Sequence, residues 1–144
     1  MINDTKMSRE NYPHNLDIAV RWSDYNMARH VSNVTYYDYI EEAVVDLLKV
    51  LGLDWDNSSV IPFVAESTCR YFSEIPFPSN VSAGIGIVRI GNSSLTYQIA
   101  LFVEGSDRAI ALANFVHVFV DRNTKQPNPI PKGLRQKAET FLLS

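Results

Sequence analysis

Residues 21–43, RWSDYNMARHVSNVTYYDYIEEA, hold the densest set of groups able to do chemistry in this chain. Asp24 can activate a water or close its loop by accepting backbone N–H bonds. Asn26 can orient a water or a substrate carbonyl; its other reading is a turn residue. An amide takes no proton at neutral pH, so Asn26 is no base. His30 can donate to a carbonyl or protonate a leaving group, or else bond its own loop. Ser32 or Asn33 can cap the helix that follows, and Asn33 has a further role in holding the loop. Together these groups offer water activation, proton donation and, at the start of the helix that follows, stabilisation of an oxyanion. The first N–H groups of a helix, here near Asn33, Val34 and Thr35, lack intrahelical partners, and the helix dipole adds positive potential.

The elements that hold these groups follow from apolar spacing. Upstream, Leu16, Ile18, Val20 and Trp22 alternate with Asp17, Ala19 and Arg21, which predicts a half-buried strand with Trp22 on its apolar face. Residues 23–32 are a polar loop. Val34, Tyr37, Ile40, Val44, Leu47, Leu48 and Leu51 recur at three- and four-residue steps, predicting a helix that ends near Val50. Gly52 followed by Leu53 suits its C-terminal stop. Asp38, Glu41, Glu42, Asp46 and Lys49 supply its only polar edge, so other elements must wrap it on most sides. Strands are expected at IPFVAESTCRYFSEI, VSAGIGIVRI, SLTYQIALFVE and RAIALANFVHVFVD, the last three joined by short turns as a meander. A short helix closes the chain at KGLRQKAETFLLS. A long apolar helix and an antiparallel sheet bury each other only if the sheet curls around the helix, which gives an α+β fold. Residues 1–14 are polar and aperiodic and are expected to be a loose arm on a single domain spanning 1–144.

Composition narrows the function classes. With 144 residues, a net charge of −3 and no Lys/Arg cluster, the chain does not read as a nucleic-acid binder. No apolar run approaches the ~20 residues needed to span a bilayer, and no leader-like apolar stretch opens the chain, so neither membrane insertion nor export is expected. Asn3, Asn33, Asn57, Asn80 and Asn92 therefore read as incidental sequons, and the expected compartment is the cytoplasm. The lone Cys69 excludes an intrachain disulfide and reads as a packed thiol. His14, His30 and His117 lack metal-ligand spacing, and His117, flanked by Phe115 and Phe119, reads as a core residue. GIG at 84–86 lacks a third glycine and sits in a strand, so no dinucleotide site is expected. There is no G-x-S-x-G elbow.

The element order, with the polar motif between the first strand and the helix, resembles the hotdog fold. More narrowly, VRWSDYNMARHVSNVTYYDYIEEAVVDLL resembles the 4-hydroxybenzoyl-CoA thioesterase-like family of acyl-CoA thioesterases. Trp22, Asp24, His30, Val31, Asn33, Tyr36 or Tyr37, and Glu41-Glu42-Ala43 carry the match. YFSEIPFPSNVSAGIGIVRIGNSSLTYQIALF and NPIPKGLR extend it over about residues 15–142. Three positions depart from the family pattern: Asn26 stands where an Asp is usual, Arg29 replaces a Gly, and Ser32 replaces an Asn.

The resemblance implies a five-stranded antiparallel sheet around one long central helix. It also implies hydrolysis of an acyl-CoA or acyl-carrier-protein thioester without a metal or organic cofactor. Subunits would join edge to edge as a homodimer or homotetramer, each site drawing on two chains. It assigns catalysis to Asp24, Asn26, His30 and Asn33. Glu66, on a strand at the dimer seam, would face the partner's helix start in place of the missing carboxylate, or else pair with Arg70. Val34 and Tyr37 would contact substrate. Arg29 would meet a carboxylate or CoA phosphates, unless it is a solvated side chain, and Ser94 would lie near CoA, unless it is only a hairpin hydroxyl. Losing a general base at position 26 forfeits ~10²–10⁴ in rate, so a non-catalytic acyl-CoA-binding hotdog module stands as the second reading. A hotdog hydratase ranks third.

Overall fold

The computed structural model describes residues 4–143. Five strands form one antiparallel sheet: β1 (His14–Ile18), β2 (Val60–Tyr71), β3 (Val81–Ile90), β4 (Ser94–Val103) and β5 (Ala111–Asp121). Their spatial order is β1-β3-β4-β5-β2, so β1 and β2 are the edges and β3-β4-β5 is the expected meander. The central helix α1 (Asn33–Val50) lies on one face of the sheet, and α2 (Lys132–Glu139) follows the last strand. This is the hotdog arrangement.

The apolar period of α1 explains its seat. Ile40, Ala43, Val44, Leu47 and Leu48 have no exposed surface, and they pack against Ile85, Ile87, Ile99, Phe115 and Phe119 from the strands. Apart from Ala43, each of these helix side chains contributes about 1.5–3 kcal/mol of transfer free energy. The helix stops as its sequence suggests. Gly52 takes φ +91°, its N–H donates to Lys49 O at 3.1 Å, and Leu53 N–H donates to Leu48 O at 3.1 Å. The wrapping is incomplete, however: Val34, Tyr37, Val45 and Val50 remain exposed on α1, as do Phe63, Val64 and Tyr71 on the edge strand β2.

Two local expectations are corrected. The first strand ends at Ile18, and residues 22–24 form a 3-10 turn, so Trp22 leaves the alternation and is 79% exposed. The bends that close the 23–32 loop turn the chain away before Trp22 can join the core. Residues 4–13 are also not loose. They form two 3-10 turns that pack on the sheet face opposite α1, where Met7 and Tyr12 are buried with Ala100, Phe102 and Ala109. Ala109 N–H donates to Met7 O at 2.8 Å, and an Arg9 Nη2–H donates to Ser106 O at 3.0 Å. The GIG motif makes room for this. A Cβ at Gly84 would come within 2.8 Å of Tyr12, and one at Gly86 within 2.6 Å of Leu143. Residues 1–3 of the expected arm lie outside the described residues.

His117 is a core residue, as expected. It is 5% exposed, with Nδ1 3.1 Å from the Tyr97 hydroxyl and its ring edge-on to Phe115. Burial lowers its pKa from 6.5 to about 4. Between those values the unfolded chain binds a proton that the folded chain refuses, so stability falls as pH drops. From pH 7 to 4.5 this one group removes on the order of 2 kcal/mol. In denaturant titrations across that range, His117→Gln, which keeps an acceptor for Tyr97, is expected to lose that portion of the slope. An unchanged slope would refute the assignment.

Candidate functional site

The loop between β1 and α1 is closed by its own backbone. Asn26 N–H donates to His30 O and Arg29 N–H to Asn26 O, both at 3.0 Å. The Asn26 side-chain carbonyl accepts Ala28 N–H at 2.9 Å, an Asx turn. Arg29 has φ +64°, the left-handed conformation that glycine adopts freely. That accounts for glycine as the usual residue at this place. A second loop, residues 72–80, lies against the first: Val31 N–H donates to Ile75 O at 3.2 Å, and His30 bridges to Pro76.

Between the two loops and the start of α1 opens a cleft of about 760 Å³, lined by Asn26, His30, Val31, Asn33, Tyr36, Tyr71, Phe72, Ser73, Glu74 and Pro76. Ser32, rather than Asn33, occupies the N-cap position of α1, and its side chain makes no capping bond. Thr35 N–H is taken by Ser32 O at 2.9 Å. Of the three expected donors this leaves Asn33 and Val34, whose N–H groups have no intrahelical acceptor. Tyr71 closes this end: its hydroxyl donates to Asn33 O at 3.2 Å and its ring meets Tyr36 edge-on at 4.9 Å.

His30 Nε2 lies 4.0 Å from Glu74 Oε2, with the His30 side chain one-third exposed to the cleft. Glu74 was not anticipated. It belongs to the 72–80 loop, far along the chain, and only the packing of the two loops brings it to His30. Ser67 was also missed: its buried Oγ has no hydrogen-bond partner.

Asp24 has a different surrounding. Its side chain is buried beneath the loop and does not line the cleft. Tyr39 O–H donates to Oδ2 at 2.7 Å, Arg21 N–H to Oδ2 at 2.9 Å, and Arg21 Nε–H and Nη2–H to Oδ1 at 3.2 and 3.0 Å. Burial would raise the Asp24 pKa, but the Arg21 backbone N–H, the Tyr39 hydroxyl and the Arg21 guanidinium outweigh it and hold the carboxyl below the usual range. With its oxygens so engaged, this carboxylate ties the loop to α1.

Glu66 lies on the other side of the sheet. The register shifts between Val64 and Glu66, after which Glu66 pairs with Val116 and Ser67 with Phe115. Directly paired residues share a sheet face. Phe115 belongs to the core around α1, so Ser67 faces the helix and Glu66 points away from it. Among the described residues Glu66 makes no ion pair with Arg70. Ser94 sits at the β3-β4 hairpin, outside the cleft, where Gly91 N–H donates to its carbonyl at 2.8 Å. Val34 and Tyr37 are exposed on the first turns of α1. Arg29 lines a separate groove that adjoins the cleft at Asn26.

No group of three or more His, Cys, Asp or Glu among the described residues is placed to hold a metal ion. No helix among them is long and apolar enough to cross a membrane.

Known proteins share the sequence pattern and the overall fold. The family model for the thioesterase-like superfamily matches residues 20–138. The crystal structure of the PA5185 protein from Pseudomonas aeruginosa strain PAO1 is similar with a TM-score of 0.91 at 41% identity, covering 96% of this chain and 97% of that one. A thioesterase from Thermus thermophilus, complexed with coenzyme A and zinc, shares the fold at a TM-score of 0.76 and 23% identity, covering 88% and 98% of the two chains. The uncharacterized protein YsmA of Bacillus subtilis (strain 168) is 29% identical over 79 residues, which is 55% of this chain and 54% of that protein. This chain therefore spans about half the length of that curated relative.

Proposed function

The chain belongs to the thioesterase-like superfamily, and from that premise we propose that it hydrolyses an acyl thioester of coenzyme A or of an acyl carrier protein to the free acid and the thiol. The observation that carries the reading is the placement of His30, 4.0 Å from the exposed Glu74 carboxylate, on the wall of a cleft that opens at a helix start without a side-chain cap. Asn26 cannot supply a base, but the His30–Glu74 pair can.

In the mechanism, the thioester carbonyl oxygen lies at the N–H groups of Asn33 and Val34. Asn26 places a water with its side-chain amide N–H₂, its carbonyl being held by Ala28. His30 takes a proton from that water as its oxygen attacks the carbonyl carbon, and Glu74 stabilises the imidazolium that forms. The oxyanion collapses, the carbon–sulfur bond breaks, and His30 returns its proton to the departing thiolate. One well-placed oxyanion donor is worth ~10²–10³ in turnover. Asp24 positions the loop, and Glu66 takes no part because it faces away from α1. Coenzyme A as the thiol is supported by the CoA-bound relative of the same fold.

A second copy of the chain is proposed to dock on edge β2, covering exposed Val34, Tyr37, Val64 and Tyr71. Sedimentation equilibrium should give a dimer or tetramer; a monomer at micromolar concentration would remove this part of the reading. The function itself is tested with a panel of short, long and aromatic acyl-CoAs and a thiol-reactive dye. Thiol release with at least one is expected. Binding without release from any would favour the non-catalytic module, for which Asn26, Arg29 and Ser32 are the motive.

A further inference from the structure

We propose that the groove walled by Trp22, Tyr25, Met27 and Phe77 holds the acyl arm of the substrate and selects bulky apolar acyl groups over short ones. The inference rests on the thioesterase reading and adds to it the class of acid released.

Three observations carry it. First, the groove measures about 550 Å³ and Asn26 lines both it and the cleft. A thioester whose carbonyl carbon is attacked by a water held on Asn26 can extend its acyl arm into the groove's mouth. Second, beside Ser23 and Arg29 at its rim the walls are large apolar side chains left open to water: Trp22 is 79% exposed, Met27 fully exposed and Phe77 43% exposed. Contiguous exposure of this kind on a polar loop marks a surface that something covers. Third, the walls are pre-formed. Phe77 meets Trp22 edge-on at 5.3 Å and Tyr25 edge-on at 4.8 Å, and the Tyr25 hydroxyl accepts Ser79 N–H at 3.3 Å. A rigid aromatic corner beside a pliable methionine accommodates chains or rings of varied outline. The volume lies within the ~300–1,000 Å³ of sites that enclose sizeable ligands, far more than an acetyl group needs.

Each methylene taken into such a groove should raise kcat/KM about fourfold. The kinetic test compares decanoyl-CoA with acetyl-CoA in the wild type, in Trp22→Ala and in Met27→Ala. Decanoyl-CoA is expected to be preferred by the wild type, and Trp22→Ala to cut the decanoyl-to-acetyl ratio at least tenfold. The binding test needs no turnover. The chain has two tryptophans, so Trp55→Phe leaves Trp22 as the only indole. Sodium decanoate below its micelle-forming concentration should then shift the emission saturably, and sodium acetate should not. A ratio that Trp22→Ala leaves unchanged overturns the proposal, as does a Trp22 emission that decanoate does not move. Absence of hydrolysis with every thioester would instead sink the thioesterase reading, while the decanoate titration would still decide the groove.

Discussion

His30→Ala is expected to lower kcat for thioester hydrolysis by roughly 100-fold or more, the usual loss when a general acid–base group is removed, without loss of the fold. The side chain is one-third exposed, and the loop around it is held by backbone bonds from Asn26, Arg29 and Val31 that the substitution leaves in place. Melting temperature and circular dichroism should therefore match the wild type. Glu74→Gln should cost less, about tenfold in kcat with KM little changed, because it removes only the charge that stabilises the imidazolium. The pair of variants separates a catalytic imidazole from a merely structural one, which would move stability and leave turnover alone. If His30→Ala keeps a third or more of wild-type kcat, the mechanism is wrong.

The second large effect is on stability. Asp24→Ala should destabilise the fold by about 3 kcal/mol, because it leaves the buried Tyr39 hydroxyl and the Arg21 N–H groups without their acceptor. Asp24→Asn keeps an acceptor and should cost less. In the folded fraction its kcat should stay within tenfold of wild type, whereas removal of a true base would cost ~10²–10⁴. Acid sensitivity offers a second view of the same residue. The folded pKa of Asp24 is depressed, so its contribution is present above the ordinary Asp value and lost as pH falls below it. The His117 contribution is lost earlier, between pH 6.5 and about 4, so the two windows are separable in one titration. Asp24→Ala with wild-type stability would show that the carboxylate does not tie the loop to the helix.

The amino-acid order alone determined the architecture. Three- and four-residue apolar steps in α1, two-residue alternation in the strands, and turn residues between them are local signals, each read within a short window. The motif of Asp24, Asn26, His30 and Asn33 was legible for the same reason, since it is contiguous and abuts the helix start. Gly52 announced its helix stop through a conformation that other residues adopt only under strain. The surroundings of these residues were decided only by tertiary structure. Tyr39 and Arg21 converge on Asp24 beneath the loop, although neither contact is legible in the motif. Glu66 was turned from the helix by a register shift that alternation does not reveal. Glu74 met His30 because two loops pack together, and Trp22 joined Phe77 outside the core because the chain bends before reaching it. Periodicity encodes which side chains are buried. Which polar groups then meet depends on how distant loops close on one another, and no short window of sequence contains that information.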